Sequence, residues 1–176
     1  MKADTSLSGV RIAGQRRNAM SGKNVVVVDL DGTLANVEHR VPMLRGDRPD
    51  WDAFFKACIR DTPNEWCVRL IEHLAGNYDV MIVSARSKVV EEETREWLVN
   101  LFPDMLGIEL VMLREAGDNT PDVTLKKAWL DSFGKSRILF VVDDRQRVVD
   151  MWREEGLTCL QCYAWKEVKR GEGTDL

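Results

Sequence analysis

Four consecutive valines at positions 25–28 constrain the fold of this chain more than any other stretch. A run of β-branched residues that does not alternate with polar residues predicts a strand buried on both faces. Such strands are typical of the centre of a parallel α/β sheet. The strand leads directly into the sequence DLDGT at positions 29–33. Because open α/β sheets bind ligands beyond the carboxyl ends of their strands, this segment is predicted to lie in a functional site.

The two carboxylates of that segment, Asp29 and Asp31, repel each other unless a cation or a shared proton compensates their charge. We expect a divalent cation to do so, and Asp29 is the candidate nucleophile. Hard oxygen ligands at this density suit Mg²⁺, which proteins hold with few carboxylates, several waters and a substrate phosphate.

Strands and helices alternate along the rest of the sequence. Further strands are predicted at residues 79–83, 108–113, 138–142 and 158–163. Helices are predicted at 51–59, after a capping box at 62–65, at 88–102, at 122–133 and up to 155. This order predicts an α/β fold, a Rossmann-like three-layer sandwich with a central parallel sheet. The short stretch between the first two strands has space for a small flap or helical lid, but not for a large cap domain.

The length of 176 residues suits one domain, expected at residues 23–165 between a flexible tail at 1–22 and a polar tail at 166–176. No apolar run is long enough to cross a membrane, and the first residues lack the apolar block of a signal peptide. A cytoplasmic protein with no membrane partner is therefore expected.

Composition argues against two further classes of function. The net charge of -4 disfavours gripping nucleic acid by bulk electrostatics, although Arg11, Arg16 and Arg17 could touch an anionic partner. Cys159 and Cys162 form a CxxC with no second pair. This pattern favours reduced structural thiols over a zinc site.

Polar side chains also follow the other predicted strands, and all these strand ends meet at one edge of a parallel sheet. They are Ser84, Arg86, Arg114, Asp143 and Asp144. Ser84 and backbone amides can hold phosphate oxygens, while Arg86 and Lys126 can neutralise charge on a transferring group. The pattern predicts phosphoryl transfer.

DLDGT at 29–33, Ser84, Lys126 and the pair Asp143-Asp144 resemble the four motifs of the haloacid dehalogenase superfamily, whose phosphatases work through an aspartyl-phosphate. The segments ANVEHRVP, DWDAFF, DTPNE, SAR, TREWL, DDR and VVDMWREEGL resemble the phosphatase domain of bacteriophage polynucleotide kinase/3′-phosphatase and its stand-alone relatives. This resemblance extends over about residues 24–165 and implies a protein of a phage or of its bacterial host.

The resemblance implies a role for each matching residue. Asp29 would attack phosphorus, and Asp31 would protonate the leaving oxygen and then activate water. For the first of these tasks Asp31 would need a raised pKa, and the nearby charge of Asp29 would raise it. Mg²⁺ would be bound by Asp29, by the backbone carbonyl of Asp31, and by Asp144 with support from Asp143.

Phosphate and substrate contacts are implied in the same way. Ser84 would hydrogen-bond the phosphoryl group, and Lys126 would pair with that group and with Asp29. Lys127 is the competitor of Lys126, which is preferred because the family's lysine follows an aspartate by four positions. Substrate binding would involve Thr33, Arg86, Arg114 and Asp118.

The sequence departs from its relatives at three points. It has Ala85 where many have glycine, a tolerable change if the turn needs no positive φ. It has Asn119 after the Gly117-Asp118 pair, where an arginine often follows. It also lacks GxxxxGK[ST], so no kinase domain is predicted in this chain.

Several side chains have a second interpretation. Arg86 and Arg114 could pair with Glu91 or Glu115 instead of substrate. Trp51, Phe54 and Phe55 could stack nucleobases or pack their helix on the body of the domain. The other helical tryptophans are expected in the core; they are Trp66, Trp97, Trp129 and Trp152. His39 is expected in contact with substrate or solvent, and His73 on a helix surface.

The sequence therefore predicts a magnesium-dependent phosphatase that hydrolyses 3′-phosphates of polynucleotides or nucleotides in nucleic acid end repair. A separate kinase or ligase chain is a candidate partner. Two alternatives remain open: a 5′(3′)-mononucleotidase, and a non-catalytic module that binds phosphorylated ends.

Overall fold

A computed structural model describes residues 23–45, 47–104 and 106–163. The strands are, in chain order, β1 (Val25–Val28), β2 (Ala35–Asn36), β3 (Thr62–Pro63), β4 (Asp79–Ser87), β5 (Ile108–Arg114), β6 (Ile138–Asp143) and β7 (Cys159–Gln161). The expected tails at 1–22 and 166–176, with the three arginines of the first, lie outside the described residues.

Five of these strands form one parallel sheet in the order β5-β4-β1-β6-β7. The strand formed by the four valines is central, with Val28 opposite Ile82 of β4 and Val142 of β6. The expected parallel sheet is confirmed.

Helices cover both faces of the sheet. They are α1 (Trp51–Lys56), α2 (Glu65–Ala75), α3 (Glu91–Leu101), α4 (Asp122–Phe133) and α5 (Gln146–Glu154). Buried side chains of α2 and α3 form one core cluster with the sheet, and those of α4 and α5 form another. The two clusters on opposite faces make the three layers of the predicted α/β sandwich.

The four valines explain why this strand is central. Val26 and Val28 belong to the cluster under α2 and α3, whereas Val25 and Val27 belong to the cluster under α4 and α5. None of the four is more than 1% exposed. Alternate side chains of a strand point to opposite faces, so both must be apolar in the middle layer.

The segment between β1 and β4 forms a small lid. It contains the antiparallel pair β2–β3, the helix α1, and short 3-10 helices at Val41–Leu44 and Ala57–Arg60. The capping box expected at 62–65 is wrong, because Thr62 and Pro63 pair with β2 instead. The helix α2 begins at Glu65, after Asn64, whose side chain donates to the carbonyl oxygen of Thr33 (2.7 Å).

The strand β4 is longer than the hydrophobic pattern predicts. It was expected to end at Val83 but continues to Ser87, so Ser84 and Arg86 lie within the strand rather than after it. The register between β4 and β5 shifts over this stretch. Such an irregularity re-aims side chains, and here it turns polar residues toward the end of the sheet.

Cys159 and Cys162 pack in opposite core clusters, on either face of the sheet, and are free thiols. The expectation of reduced, structural cysteines is confirmed. Burial raises the pKa of the Cys159 thiol to about 12 and that of Cys162 to about 11, which keeps both thiols protonated.

Trp97 and Trp152 are buried in the core as expected, and Trp129 is partly buried. Trp66 is 50% exposed, so its assignment to the core is wrong. His73 lies on the exposed surface of α2, as predicted. Among the described residues, no helix combines the length and apolar character that crossing a bilayer requires.

Candidate active site

The turn after β1 brings Asp29 to the end of the sheet. The backbone N–H of Asp29 still donates to Val142 of β6 (2.9 Å), which fixes it as an extension of the strand. The chain then reverses at Gly32, whose φ of 89° is a conformation that favours glycine. Two backbone amides, those of Leu34 and Ala35, close the turn by donating to the carbonyl oxygen of Leu30 (3.0 and 2.8 Å).

Three carboxylates form an acidic cluster at this point: Asp29, Asp143 and Asp144. One oxygen of each lies within 4.8 Å of the others, and all three residues are buried. Asp143 and Asp144 come from the end of β6, the neighbour of β1, as expected for parallel strands. The side chain of Asp31 is not part of this cluster, in keeping with the expectation that only its backbone carbonyl would reach a metal.

Lys126 is the cation beside the acidic cluster. Its Nζ donates to Asp29 Oδ1 (2.6 Å) and to Asp143 Oδ2 (2.8 Å), and only 3% of the residue is exposed. Burial alone would lower the pKa of Lys126, but the charges of Asp143 and Asp29 outweigh it and raise that pKa. Its neighbour Lys127 points outward and pairs with Asp131 and Glu155.

The acidic cluster fits a divalent cation on the chemistry of its donors. Lys126 pairs with two of the three buried carboxylates, Asp29 and Asp143. Burial, followed by the charges of Asp143 and Asp144, raises the pKa of Asp29 well above its ordinary value, even though Lys126 opposes the shift. Carboxylate oxygens brought this close together are the environment that Mg²⁺ neutralises.

Asp31 belongs to a different cluster, an arginine–aspartate network of Asp31, Arg40, Asp61 and Arg86. Arg40 Nη2 donates to Asp31 Oδ1 (2.6 Å) and Asp61 Oδ2 (2.7 Å), and Arg86 Nη2 donates to both carboxylates as well. The side chains of Arg40, Asp61 and Arg86 are completely buried. Two positive and two negative charges thus balance, and of the four side chains only that of Asp31, 23% exposed, meets solvent.

The expectation that the pKa of Asp31 is raised is wrong for the substrate-free protein. Burial would raise it, but the charges and hydrogen bonds of Arg86 and Arg40 hold the pKa well below its usual range. The charge of Asp29 was expected to dominate. Two guanidinium groups in direct contact with Asp31 have the larger effect because they are closer and are screened by little solvent.

Sequence patterns did not single out Arg40 and Asp61. Arg40 is nine residues from Asp31 and Asp61 is thirty, and nothing in their local patterns distinguishes them from exposed residues of a loop. The signal available was indirect, since both lie inside segments that carry the family resemblance, ANVEHRVP and DTPNE.

Asp122 is a further residue of the site that sequence patterns did not single out. It lies four positions before Lys126 on the same face of α4 and is only 6% exposed. Its carboxylate accepts hydrogen bonds from Arg145 (2.5 Å) and Arg147 (3.1 Å). Burial would raise the pKa of Asp122, but these two arginines lower it. Residues four positions apart lie on the same face of a helix, so the spacing of Asp122 and Lys126 indicates that their side chains are neighbours.

Ser84 and Thr33 occupy different positions relative to the cleft. Ser84 is almost completely buried but lines the floor beside Asp29, and its Oγ accepts from the backbone N–H of Arg86 (3.2 Å). Thr33, expected to bind substrate, has no exposed surface and donates to Asp144 Oδ1 (3.4 Å). The structure therefore places Thr33 behind the acidic cluster, where it orients Asp144.

Arg114 and Asp118 shape the loop after β5. Arg114 Nε donates to the carbonyl oxygen of Ala85 (2.9 Å), and its Nη1 donates to those of Asp118 and Thr120. Asp118 Oδ1 accepts from the backbone N–H of Thr120 (2.7 Å). Both side chains also line the cleft, so they hold its wall in place.

The alternative partners considered for Arg86 and Arg114 are wrong. Glu91 pairs with Arg95, and Glu115 pairs with Lys88. His39 contacts a protein side chain, with its Nε2 2.8 Å from Asp61 Oδ1.

A cleft of about 490 Å³ opens over both clusters. This volume is in the range of small-molecule sites and exceeds what a phosphate group alone fills. Asp29, Asp31, Ser84 and Lys126 lie in its lining, together with the lid helix α1 and the loop after β5.

A parallel sheet with an acidic cluster, a buried lysine and a serine at the end of its central strand defines an enzyme of the haloacid dehalogenase phosphatase type. The family model described as the polynucleotide kinase PNKP phosphatase domain matches residues 23–165. The chain belongs to this family, and the resemblance seen in its motifs is confirmed. Membership in a phosphatase family disfavours the non-catalytic binding module.

Two relatives are multifunctional or assembled proteins. A protein of Autographa californica nuclear polyhedrosis virus, described as a bifunctional polynucleotide kinase/RNA ligase, is 32% identical over 133 residues, which are 73% of this chain and 18% of the viral protein. A chain of the Pnkp1/Rnl/Hen1 RNA repair complex is 26% identical, with a TM-score of 0.66 over 90% of this chain and 48% of that chain. This chain therefore spans less than half the length of either relative.

A haloacid dehalogenase-like hydrolase from Streptococcus pneumoniae matches with a TM-score of 0.54 and 13% identity, over 81% of this chain and 85% of that chain. At this identity the match supports the fold alone. The described residues of this chain contain no large cap domain.

Replacing Lys126 by methionine is expected to lower the free energy of unfolding by about 2–3 kcal/mol at neutral pH without divalent cations, because the acidic cluster loses its counter-charge. Proton uptake by Asp29 limits the cost. Chemical denaturation of Lys126→Met and of the matched neighbour Lys127→Met measures the difference. Lys127 forms exposed ion pairs, so its replacement is expected to cost less than about 1 kcal/mol. Equal losses in the two variants would contradict the assigned role of Lys126.

Proposed function

We propose that this chain is a magnesium-dependent phosphatase that removes 3′-phosphates from polynucleotides or nucleotides through an aspartyl-phosphate on Asp29. The observation that carries the proposal is the position of Asp29 at the end of β1, 2.6 Å from Lys126 and in contact range of Asp143 and Asp144. A carboxylate with this environment is ionised when a divalent cation is bound, and it faces the cleft.

The first step forms a bond from an Asp29 carboxylate oxygen to phosphorus and breaks the bond from phosphorus to the 3′ oxygen. The electron pair of that bond leaves with the 3′ oxygen, which receives a proton from Asp31. Asp31 then accepts a proton from a water molecule that attacks the aspartyl-phosphate, and inorganic phosphate and free Asp29 are released. Ser84 and Lys126 hold the phosphoryl oxygens during both displacements.

Asp29, Asp144 and Asp143 would hold Mg²⁺ with the backbone carbonyl of Asp31. Bound there, the ion would neutralise the acidic cluster and the negative charge on the phosphoryl group.

The arginine–aspartate network must release Asp31 for proton transfer. Arg40 and Arg86 hold its pKa low in the substrate-free protein. A bound phosphate dianion adds negative charge beside Asp31 and competes for the guanidinium group of Arg86, which lines the cleft. Both effects raise the pKa of Asp31 toward the value that a general acid needs.

The names of the relatives support polynucleotide ends as substrates. One is described as a polynucleotide kinase/RNA ligase, and another belongs to an RNA repair complex. We therefore propose a role in end repair in the cytoplasm, with a separate kinase or ligase chain as partner.

A substrate panel tests the proposal. Turnover of a 3′-phosphorylated oligonucleotide is expected to exceed that of 3′-dTMP and of 5′-dTMP, to disappear when EDTA removes divalent cations, and to return with Mg²⁺. Release of inorganic phosphate is the measurement. Equal or faster turnover of 5′-dTMP would favour the 5′(3′)-mononucleotidase, and activity that survives EDTA would contradict the metal.

A further inference from the structure

The lid helix α1 presents an aromatic face to the cleft. Trp51, Phe54 and Phe55 all line it, but they differ in exposure. Phe54 is buried and Phe55 partly buried, whereas Trp51 is 49% exposed. Packing of α1 on the body therefore accounts for Phe54 but leaves the indole ring of Trp51 facing solvent at the mouth of the cleft.

These three rings form one rigid unit. The ring centroids of Phe54 lie 5.8 Å from Trp51 and 5.6 Å from Phe55, both edge to face, and Trp51 and Phe55 lie 5.9 Å apart with planes inclined by 32°. Asp50 caps the helix by accepting from the backbone N–H of Ala53 (2.9 Å). Edge-to-face pairs hold ring orientations, so the exposed face of Trp51 is presented in a fixed direction.

The aromatic unit is tied directly to the catalytic cleft. The guanidinium carbon of Arg40 lies 4.2 Å from the centroid of Phe54, a cation–π contact, and the same guanidinium donates to Asp31. One arginine therefore separates the proposed acid from the aromatic rings. Trp51, Asp29 and Asp31 all line this one cleft.

Three arginines also line the cleft: Arg114, Arg145 and Arg147. Arg145 and Arg147 pair with Asp122, and Arg114 donates to the carbonyl oxygen of Ala85. On α1, the charged residues that line the cleft are Asp52 and Lys56, and their charges have opposite sign. A single-stranded nucleic acid has a flat aromatic base on one side and an anionic backbone on the other, and proteins bind it with stacking rings beside a positive groove.

We propose that Trp51, supported by Phe55, stacks on the nucleobase of the residue that carries the 3′-phosphate. This inference rests on the proposed function and extends it, because it makes the enzyme selective for a nucleoside at the end of the chain. Substrates that carry the same phosphate without a base would lose this contact.

Two oligonucleotides test the inference. They are identical except that one ends in thymidine 3′-phosphate and the other in an abasic tetrahydrofuran 3′-phosphate. Wild type is expected to have a kcat/KM about tenfold higher for the thymidine end, the scale of one stacking contact. Trp51→Ala is expected to hydrolyse the two ends at similar rates, and Trp51→Phe is expected to keep most of the preference.

Trp66 provides a matched control. It is exposed to the same degree, at 50%, but lies on α2 and does not line the cleft. Trp66→Ala is expected to keep the wild-type preference. A Trp51→Ala variant that slows both oligonucleotides equally, or neither, would overturn the stacking role and leave Trp51 as a surface for some other partner.

The same assay separates the inference from the function it rests on. A wild-type protein that hydrolyses both ends at equal rates overturns the stacking role alone. A wild-type protein that hydrolyses neither, with Mg²⁺ present, overturns the proposed function together with it.

Discussion

Asp29→Asn is expected to reduce turnover of a 3′-phosphorylated oligonucleotide by more than about 1,000-fold, the scale seen when an enzyme loses its covalent nucleophile. The amide keeps the size of the side chain but cannot form an aspartyl-phosphate. It also weakens the contact at 2.6 Å that holds Lys126 in place. Phosphate release under saturating Mg²⁺ measures the loss. When reactions of the wild type with a substrate labelled in its 3′-phosphate are quenched with acid, label is expected to remain on the protein.

Folding should survive this change. Lys126 keeps its second contact with Asp143 (2.8 Å), and removing one of three crowded carboxylates relieves repulsion. The thermal midpoint of Asp29→Asn is therefore expected at or above that of the wild type. Asp131→Asn makes the same chemical change in an exposed pair on α4 and is the control for activity. If both variants turned over substrate at similar rates, Asp29 would not be the nucleophile.

The sheet and the acidic cluster could be predicted because their signals are local. Four valines in a row specify a strand buried on both faces, and all four are buried. In a parallel sheet the positions of Asp29, Asp143 and Asp144 follow from topology alone, since each comes directly at or after the end of a central strand. The choice of Lys126 over Lys127 came from the family resemblance, in which the lysine follows an aspartate by four positions.

The lid was harder to predict because its structure depends on distant partners. Thr62 and Pro63 have the pattern of a helix start, but the backbone of β2 pairs with them and this pairing prevails. Tryptophan is a typical core residue, yet Trp66 lies on the solvent side of α2. Both errors concern segments whose environment is set by residues far away in sequence, which local propensity does not encode.

The same reasoning explains the error over the pKa of Asp31. The sequence shows the carboxylate two residues away, but not the contacts of Asp31 with Arg40 and Arg86. Arg40 reaches Asp31 only after the lid folds over the sheet, whereas Arg86 reaches it from the neighbouring strand β4. Asp61 holds both arginines from behind through hydrogen bonds of 2.7 to 2.9 Å. Asp61 is therefore the residue through which the lid controls the charge at the proposed acid.

Asp61→Asn is expected to lower the free energy of unfolding by about 3–5 kcal/mol, because it leaves one of two buried guanidinium charges without a counter-ion. Urea unfolding followed by fluorescence measures this loss. The exposed control Asp131→Asn is expected to change the free energy by less than about 1 kcal/mol. An Asp61→Asn variant as stable as the control would mean that solvent reaches the arginines.

Activity at a temperature where Asp61→Asn remains folded then tests whether the network also sets the acid. Without Asp61, both arginines can satisfy their charge only on Asp31, which lowers the pKa of Asp31 further and makes proton donation harder. An alkoxide leaving group needs that proton, whereas a nitrophenolate leaves without it. Asp61→Asn is therefore expected to slow hydrolysis of an oligonucleotide 3′-phosphate at least about tenfold more than that of p-nitrophenyl phosphate. A purely structural defect would slow both substrates alike, so equal losses would limit Asp61 to a role in stability.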